Sequence, residues 1–170
     1  SSLISEDEDK AEKFLNEMSK VYRYLLRNEE DTLVSLQTEL TFLESYLFLL
    51  ETRYGDGLNI RMDIGEEEKN KFIPPLSLQL VIENAFTQNI VSKTMPLTIL
   101  ISTREDAGMI TVCNNVQLKS VSGVVDTESG LDNLVKKYQL LNQPEVIIQD
   151  NERQRCIRIP LVLKKEEALL

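Results

Sequence analysis

The chain has 170 residues and a net charge of -9, from 19 Lys and Arg against 28 Asp and Glu. That length leaves room for one domain with a sizeable core, or a small helical piece plus one compact domain, and an acidic chain without a basic run is a poor nucleic-acid binder, because such binding rests on neutralising phosphate. With no histidine at all, Ser-His and Cys-His catalysis are excluded, and so is a phosphohistidine on this polypeptide.

No apolar run is long enough to span a bilayer, and none has the flanks of a signal peptide. The chain opens on Ser1 inside a helical pattern and reads as a piece of something longer. From about residue 7 to 28, Ala11, Phe14, Leu15, Met18, Val21, Tyr22, Leu25 and Leu26 keep the three-four spacing of an amphipathic helix. The acidic run Glu6 to Asp9 suits its N-terminus, Arg23 and Arg27 suit its end, and NEED at 28–31 breaks the pattern. A second helix is predicted over 35–54, with Ser35 or Thr32 as N-cap. Leu36, Leu40, Leu43, Leu47, Leu50 and Tyr54 form one stripe, widened by Phe42, Tyr46 and Leu49. So broad an apolar surface is packed on two sides or meets a partner chain; the preferred reading is packing on its own domain plus a dimer contact.

YGDGL at 54–58 ends that helix on glycines. LNIRMDI at 58–64 alternates as a strand, and GEEEKNK is a surface loop. Next comes IPPLSLQLVIENAFTQN at 73–89, the stretch the rest is organised around. Its prolines are expected in the first turn of a helix, with Leu78, Val81, Ile82, Ala85 and Phe86 on an apolar face. Glu83, Asn84, Thr87 and Gln88 fall on the other side, where a carboxylate, two amides and a hydroxyl can converge. Taken alone, such a polar stripe is more often a wet face than a site. LTILIST at 97–103 and MITVCNN at 109–115 are strands joined by a turn at REDAG. Residues 116–128 have no clear period, and a loop of that length is usually functional or mobile. Ser129 is expected to cap a helix reaching Leu141; EVIIQ and RCIRIPLVL, at 145–149 and 155–163, make a final hairpin, and the acidic end is a frayed tail. Cys113 and Cys156, inside strands and without metal-ligand spacing, are expected as buried free thiols in a reducing compartment. Two helices, then strand, helix, strand, strand, loop, helix, strand, strand predict an α+β sandwich, a mixed sheet with helices on one face.

The 73–89 stretch resembles the N-box helix of the GHKL ATPases, and PPLSLQLVIENA looks like the PPL-x-LQ-x-L-x-ENA signature of the LytS-type sensor histidine kinases. KAEKFLNEMSKVYRYLLR at 10–27 and ELTFLESYLFLLETRYG at 39–55 resemble the end of that family's dimerisation region and its linker. The likeness runs from Lys10 to Leu163. It implies two N-terminal helices leading into a GHKL-type α/β sandwich, divided as 1–56 helical dimerisation and linker segment, 57–165 ATP-binding domain and 166–170 tail. It further implies ATP and Mg2+ as cofactors and transfer of the γ-phosphoryl group to a histidine upstream of this chain, then to a response regulator. A homodimer through the N-terminal helices is implied too, in a cytoplasmic domain of a bacterial inner-membrane protein that meets the membrane only through segments upstream.

By the same resemblance Asn84 matches the asparagine that binds magnesium, and Glu83 the catalytic acidic residue before it. Asn114 stands where the family has an aspartate that accepts a bond from adenine, Lys119 lies in the loop that would be the ATP lid, and Gly130, Leu131 and Asn133 match the second half of the G2 box. Gln88 takes a position close to phosphate. The departures are that Thr87 and Gln88 replace a lysine and a histidine, Asn115 and Val116 replace the segment holding a glycine, and Glu128 replaces the first G2 glycine. These changes together motivate an alternative, a degenerate core that dimerises or scaffolds without ATP turnover. A third reading is a GHKL serine kinase acting on an anti-sigma-factor antagonist, against which the KVYRYLLR leader argues.

Overall fold

The helix Leu36–Tyr54 is the wedge of the fold, as its broad apolar surface predicts. In the computed structural model, which describes residues 2–27, 32–120 and 128–163, it lies between the long helix α1 (Ser2–Arg27) and the rest of the chain; it is α2, the short strand β1 (Val34–Ser35) preceding it. Ser35 caps α2, its Oγ accepting the Thr38 N–H at 3.1 Å. On one side Phe42 stacks on Tyr24 of α1, ring centroids 4.3 Å apart. On the other, Leu36, Leu40, Leu43, Leu47 and Leu50 enter the main core. Helix α1 begins at Ser2 rather than near residue 7, so the Glu6 to Asp9 run lies within it, with Lys10 paired to Glu6 at 3.1 Å. Along α1, Leu3, Ile4, Leu15, Tyr22 and Leu26 are exposed.

Beyond the glycine at 55, where φ is 53° and the α2 ladder ends, the chain builds β2 (Leu58–Asp63), a 3₁₀ turn, β3 (Phe72–Ile73) and the helix α3 (Ser77–Gln88). Then follow β4 (Leu97–Ser102), β5 (Met109–Asn115), the helix α4 (Glu128–Leu140), β6 (Ile147–Asp150) and β7 (Gln154–Pro160). Five strands form a mixed sheet in the order β2-β4-β5-β7-β6, in which only β2 and β4 are parallel; β1 and β3 pair separately. Alternation gives the sheet one apolar face: Ile99, Ile101, Ile110, Val112, Ile157 and Ile159 share a core with Leu78, Val81 and Ile82 of α3 and Leu131, Leu134 and Tyr138 of α4. The fold is the α+β arrangement that the element order predicts.

Three local expectations change. Pro74 and Pro75 stand ahead of α3 instead of in its first turn. Each proline biases the residue before it towards extended backbone, and the chain then turns through Leu76, at φ 68°, before the helix begins at Ser77. Ser129 stands within α4, which is described from Glu128, and not ahead of it. Cys113 and Cys156 are not free thiols: the β5–β7 register sets them opposite each other, Cα atoms 4.1 Å apart, and they form a disulfide across a sequence separation of 43. A strand pattern read one segment at a time carries no register, so the pairing was invisible in it. Residues 121–127, most of the proposed ATP lid, and the tail at 166–170 lie outside the described residues.

Candidate functional site

Helix α3 lies in the connection between the parallel strands β2 and β4 and packs against β5, and its last turn is joined to β7 by a side chain of that strand. Asn84, 4% exposed, and the half-buried Gln88 are one turn apart on the side facing that strand. Arg155 of β7 reaches up to both: its Nη1 donates to Asn84 Oδ1 at 3.2 Å and to Gln88 Oε1 at 2.9 Å. The register places Asn114 of β5 on one flank of Arg155 and Asp150 of β6 on the other. Asp150 Oδ1 lies 3.1 Å from Arg155 Nε, and Asn114, 5% exposed, donates from Nδ2 to the Asn115 carbonyl at 2.9 Å. Asn84, Gln88, Asn114, Asp150 and Arg155 are thus one polar cluster at the end of an otherwise apolar layer between helix and sheet.

The segment leaving β5 is fastened to the same end of α3. Asn89, 3% exposed, accepts the Gln117 N–H on Oδ1 at 2.8 Å and donates from Nδ2 to the Ala85 carbonyl at 2.8 Å. The Gln117 side chain donates to the Ile90 carbonyl at 2.6 Å, and the Lys119 N–H donates to the Gln88 carbonyl at 3.0 Å. Asn115, one of the changed positions, anchors the start of β4: its Oδ1 accepts the Thr98 N–H at 2.8 Å.

The other expected residues lie elsewhere. Glu83 is exposed and accepts from Gln79 Nε2 at 2.8 Å, so it does not converge with Asn84; consecutive helical residues point about 100° apart. Thr87 turns its hydroxyl back onto the Glu83 and Asn84 carbonyls, at 2.8 and 3.2 Å. In α4, Leu131 is buried in the core, a Cβ on Gly130 would meet Leu80 of α3 at 3.6 Å, and Asn133 is exposed. The side chain of Lys119 is exposed. Arg155 escaped the sequence reading, although a cation in phase with Ile157 and Ile159 on the apolar side of a strand was the available signal.

The side-chain oxygen of Asn84 that a divalent metal would use is engaged by Arg155 in this structure. Magnesium asks for an octahedron of hard oxygens, most of them from water and phosphate; Glu83, bonded to Gln79, contributes none beside Asn84 here.

Residues 1–58 match the histidine kinase family. The chain is similar to the sensor protein LytS of Staphylococcus saprophyticus subsp. saprophyticus, 36% identical over 85 residues, which cover 50% of this chain and 14% of that protein. It is also similar to the sensor protein LytS of Bacillus cereus, 31% identical over 110 residues, 65% of this chain and 19% of that one. The histidine kinase AdeS of Acinetobacter baumannii aligns with a TM-score of 0.48 at 14% identity, over 94% of this chain and 82% of that one, a likeness too loose to carry an argument. The matched stretches span from 14% to 19% of the two LytS proteins. No helix among the described residues is long and apolar enough to cross a membrane.

Proposed function

We propose that this chain, a relative of the LytS-type sensor histidine kinases, is the ATP-binding core of a two-component sensor. It would supply the γ-phosphoryl group for a histidine carried on an upstream segment, for onward transfer to a response regulator. The observation that supports it is the cluster at the end of α3: two amides, Asn84 and Gln88, are presented beside the buried Asn114 where a polyphosphate has a partner in Arg155. An arginine fork pairs with phosphate oxygens more strongly than with neutral amides, so nucleotide entering this cluster draws Arg155 from Asn84 and Gln88. Pairing through α1 as a homodimer, and a place on the cytoplasmic side of a membrane-anchored protein, belong to the same proposal.

A second reading has its own support. Arg155 donates to the very oxygen of Asn84 that magnesium would need, and Thr87 and Gln88 supply no cation. On this reading the core has lost ATP turnover and relays signals as a dimerising or scaffolding module. Calorimetric titration with a non-hydrolysable ATP analogue, with and without magnesium, separates the two. Under the first reading the chain binds, and Asn84→Ala and Arg155→Ala each weaken binding. Absence of binding at millimolar analogue by folded protein, or tighter binding by Arg155→Ala, gives the second.

A further inference from the structure

Glu39 of α2 is fully buried, 0% exposed. A carboxylate is seldom so placed unless its oxygens are engaged, and here the donors come from two other helices. Oε2 accepts the Tyr24 hydroxyl of α1 at 2.6 Å and the Leu76 N–H at 3.1 Å, and Oε1 accepts the Leu78 N–H at 3.3 Å. The first N–H groups of a helix have no partner within it. At the start of α3 no local side chain caps them: Leu76 holds the cap position in left-handed backbone, and Ser77 Oγ turns back to the Pro74 carbonyl at 2.6 Å. Glu39 therefore performs the capping from a neighbouring helix, with its carboxyl at the positive end of the α3 dipole.

Burial pushes the Glu39 carboxyl above its ordinary value, against the hydrogen bonds from Tyr24 and from the Leu76, Leu78 and Ser77 backbone, which pull it down. Tyr138 of α4 also feels its charge, and donates its own hydroxyl to the Pro160 carbonyl at 2.7 Å. The balance between charged and neutral Glu39 thus depends on a donor that α1 supplies. Once neutral, the group carries an O–H of its own among N–H donors and accepts from them more weakly.

We propose that Tyr24 and Glu39 form a joint coupling the seating of α1 to the start of α3, such that withdrawing the Tyr24 hydroxyl loosens the first turn of the helix bearing Asn84 and Gln88. Two elements that donate to one buried acceptor are energetically linked, and the linkage is reciprocal. The stacking of Tyr24 on Phe42 at 4.3 Å fixes the ring that delivers the hydroxyl, so a shift of α1 along α2 is the motion that withdraws it. Nucleotide plays no part in the joint, so its failure leaves the proposed function standing.

The test is amide hydrogen exchange at Leu76 and Leu78 in the whole chain, for Tyr24→Phe, Glu39→Gln and the double variant, with the β5 amides as reference. Each single change is expected to speed exchange roughly tenfold, and the double variant to exchange no faster than Glu39→Gln alone. Unchanged exchange in Tyr24→Phe overturns the joint, as does an equal effect of Tyr24→Phe in the Glu39→Gln background, which would mean that the tyrosine acts through its ring. Should Glu39→Gln not fold, the pH titration of the Leu76 and Leu78 amide shifts decides: the midpoint is expected to rise in Tyr24→Phe, and an unmoved midpoint rejects the coupling.

Discussion

The two ends of α3 are held in opposite ways. Its start is gripped by a carboxyl group, Glu39, acting on backbone N–H groups in a fully buried place; its last turn is gripped by a cation, Arg155, acting on the side chains of Asn84 and Gln88. Backbone groups sealed from water have nowhere else to turn, so the first grip belongs to the architecture. Amides in a half-open cluster can trade one partner for another, so the second grip is the exchangeable one.

The comparison breaks most visibly at Glu39. Glu39→Ala leaves the Leu76 and Leu78 N–H groups without their acceptor, and a loss of about 2–4 kcal/mol is expected by urea denaturation. A pH series tests the sign of its titration. Because the folded-state value lies above the ordinary 4.5, the folded chain binds this proton more tightly than the unfolded one. Its stabilising contribution is therefore complete below 4.5 and is lost as pH rises through the folded-state value. Measured as unfolding free energy, the advantage of wild type over Glu39→Gln should narrow across that window; a widening gap would sink the assignment. At the other end, Arg155→Ala strips a donor from the buried Asn84 and is expected to cost about 1 kcal/mol in the same assay, less than Glu39→Ala. Glu83→Ala, on the exposed side of the helix, should change stability by no more than about 0.5 kcal/mol.

Which contacts were legible in the sequence follows the same division. Alternation in Ile99 and Ile101, Ile110 and Val112, and helical spacing in Leu78, Val81 and Ile82, announced the layers, because each pattern is local and its period names its element. Asn84 was singled out by the likeness of its helix to the N-box, since its polar stripe alone reads as a wet face. Arg155 offered only its phase with Ile157 and Ile159 as a signal, because its contacts with Asn84 and Gln88 bridge 71 and 67 positions and depend on strand register. Glu39 was hidden for a related reason: a single acid on an amphipathic helix looks solvated, and what buries it arrives from 15 and 37 positions away. The prolines misled because helix-start rules are local, whereas Leu76 takes its left-handed turn where a distant carboxylate awaits the helix N-terminus.

The sheet order also sets a sequence of assembly. The pairs β4–β5 and β6–β7 are hairpins, closed by neighbouring stretches, while the β2–β4 and β5–β7 ladders join segments about 40 positions apart, as in Leu58 with Leu97 and Cys113 with Cys156. Loop closure makes the distant ladders the slower to form. Asn114 and Arg155 face each other only across β5–β7, and α3 lies over them only once β2 and β4 have been brought side by side. The cluster is therefore completed late: a nascent chain lacking β7 has hairpin and helices but no site, and a site-specific probe reports the finished fold.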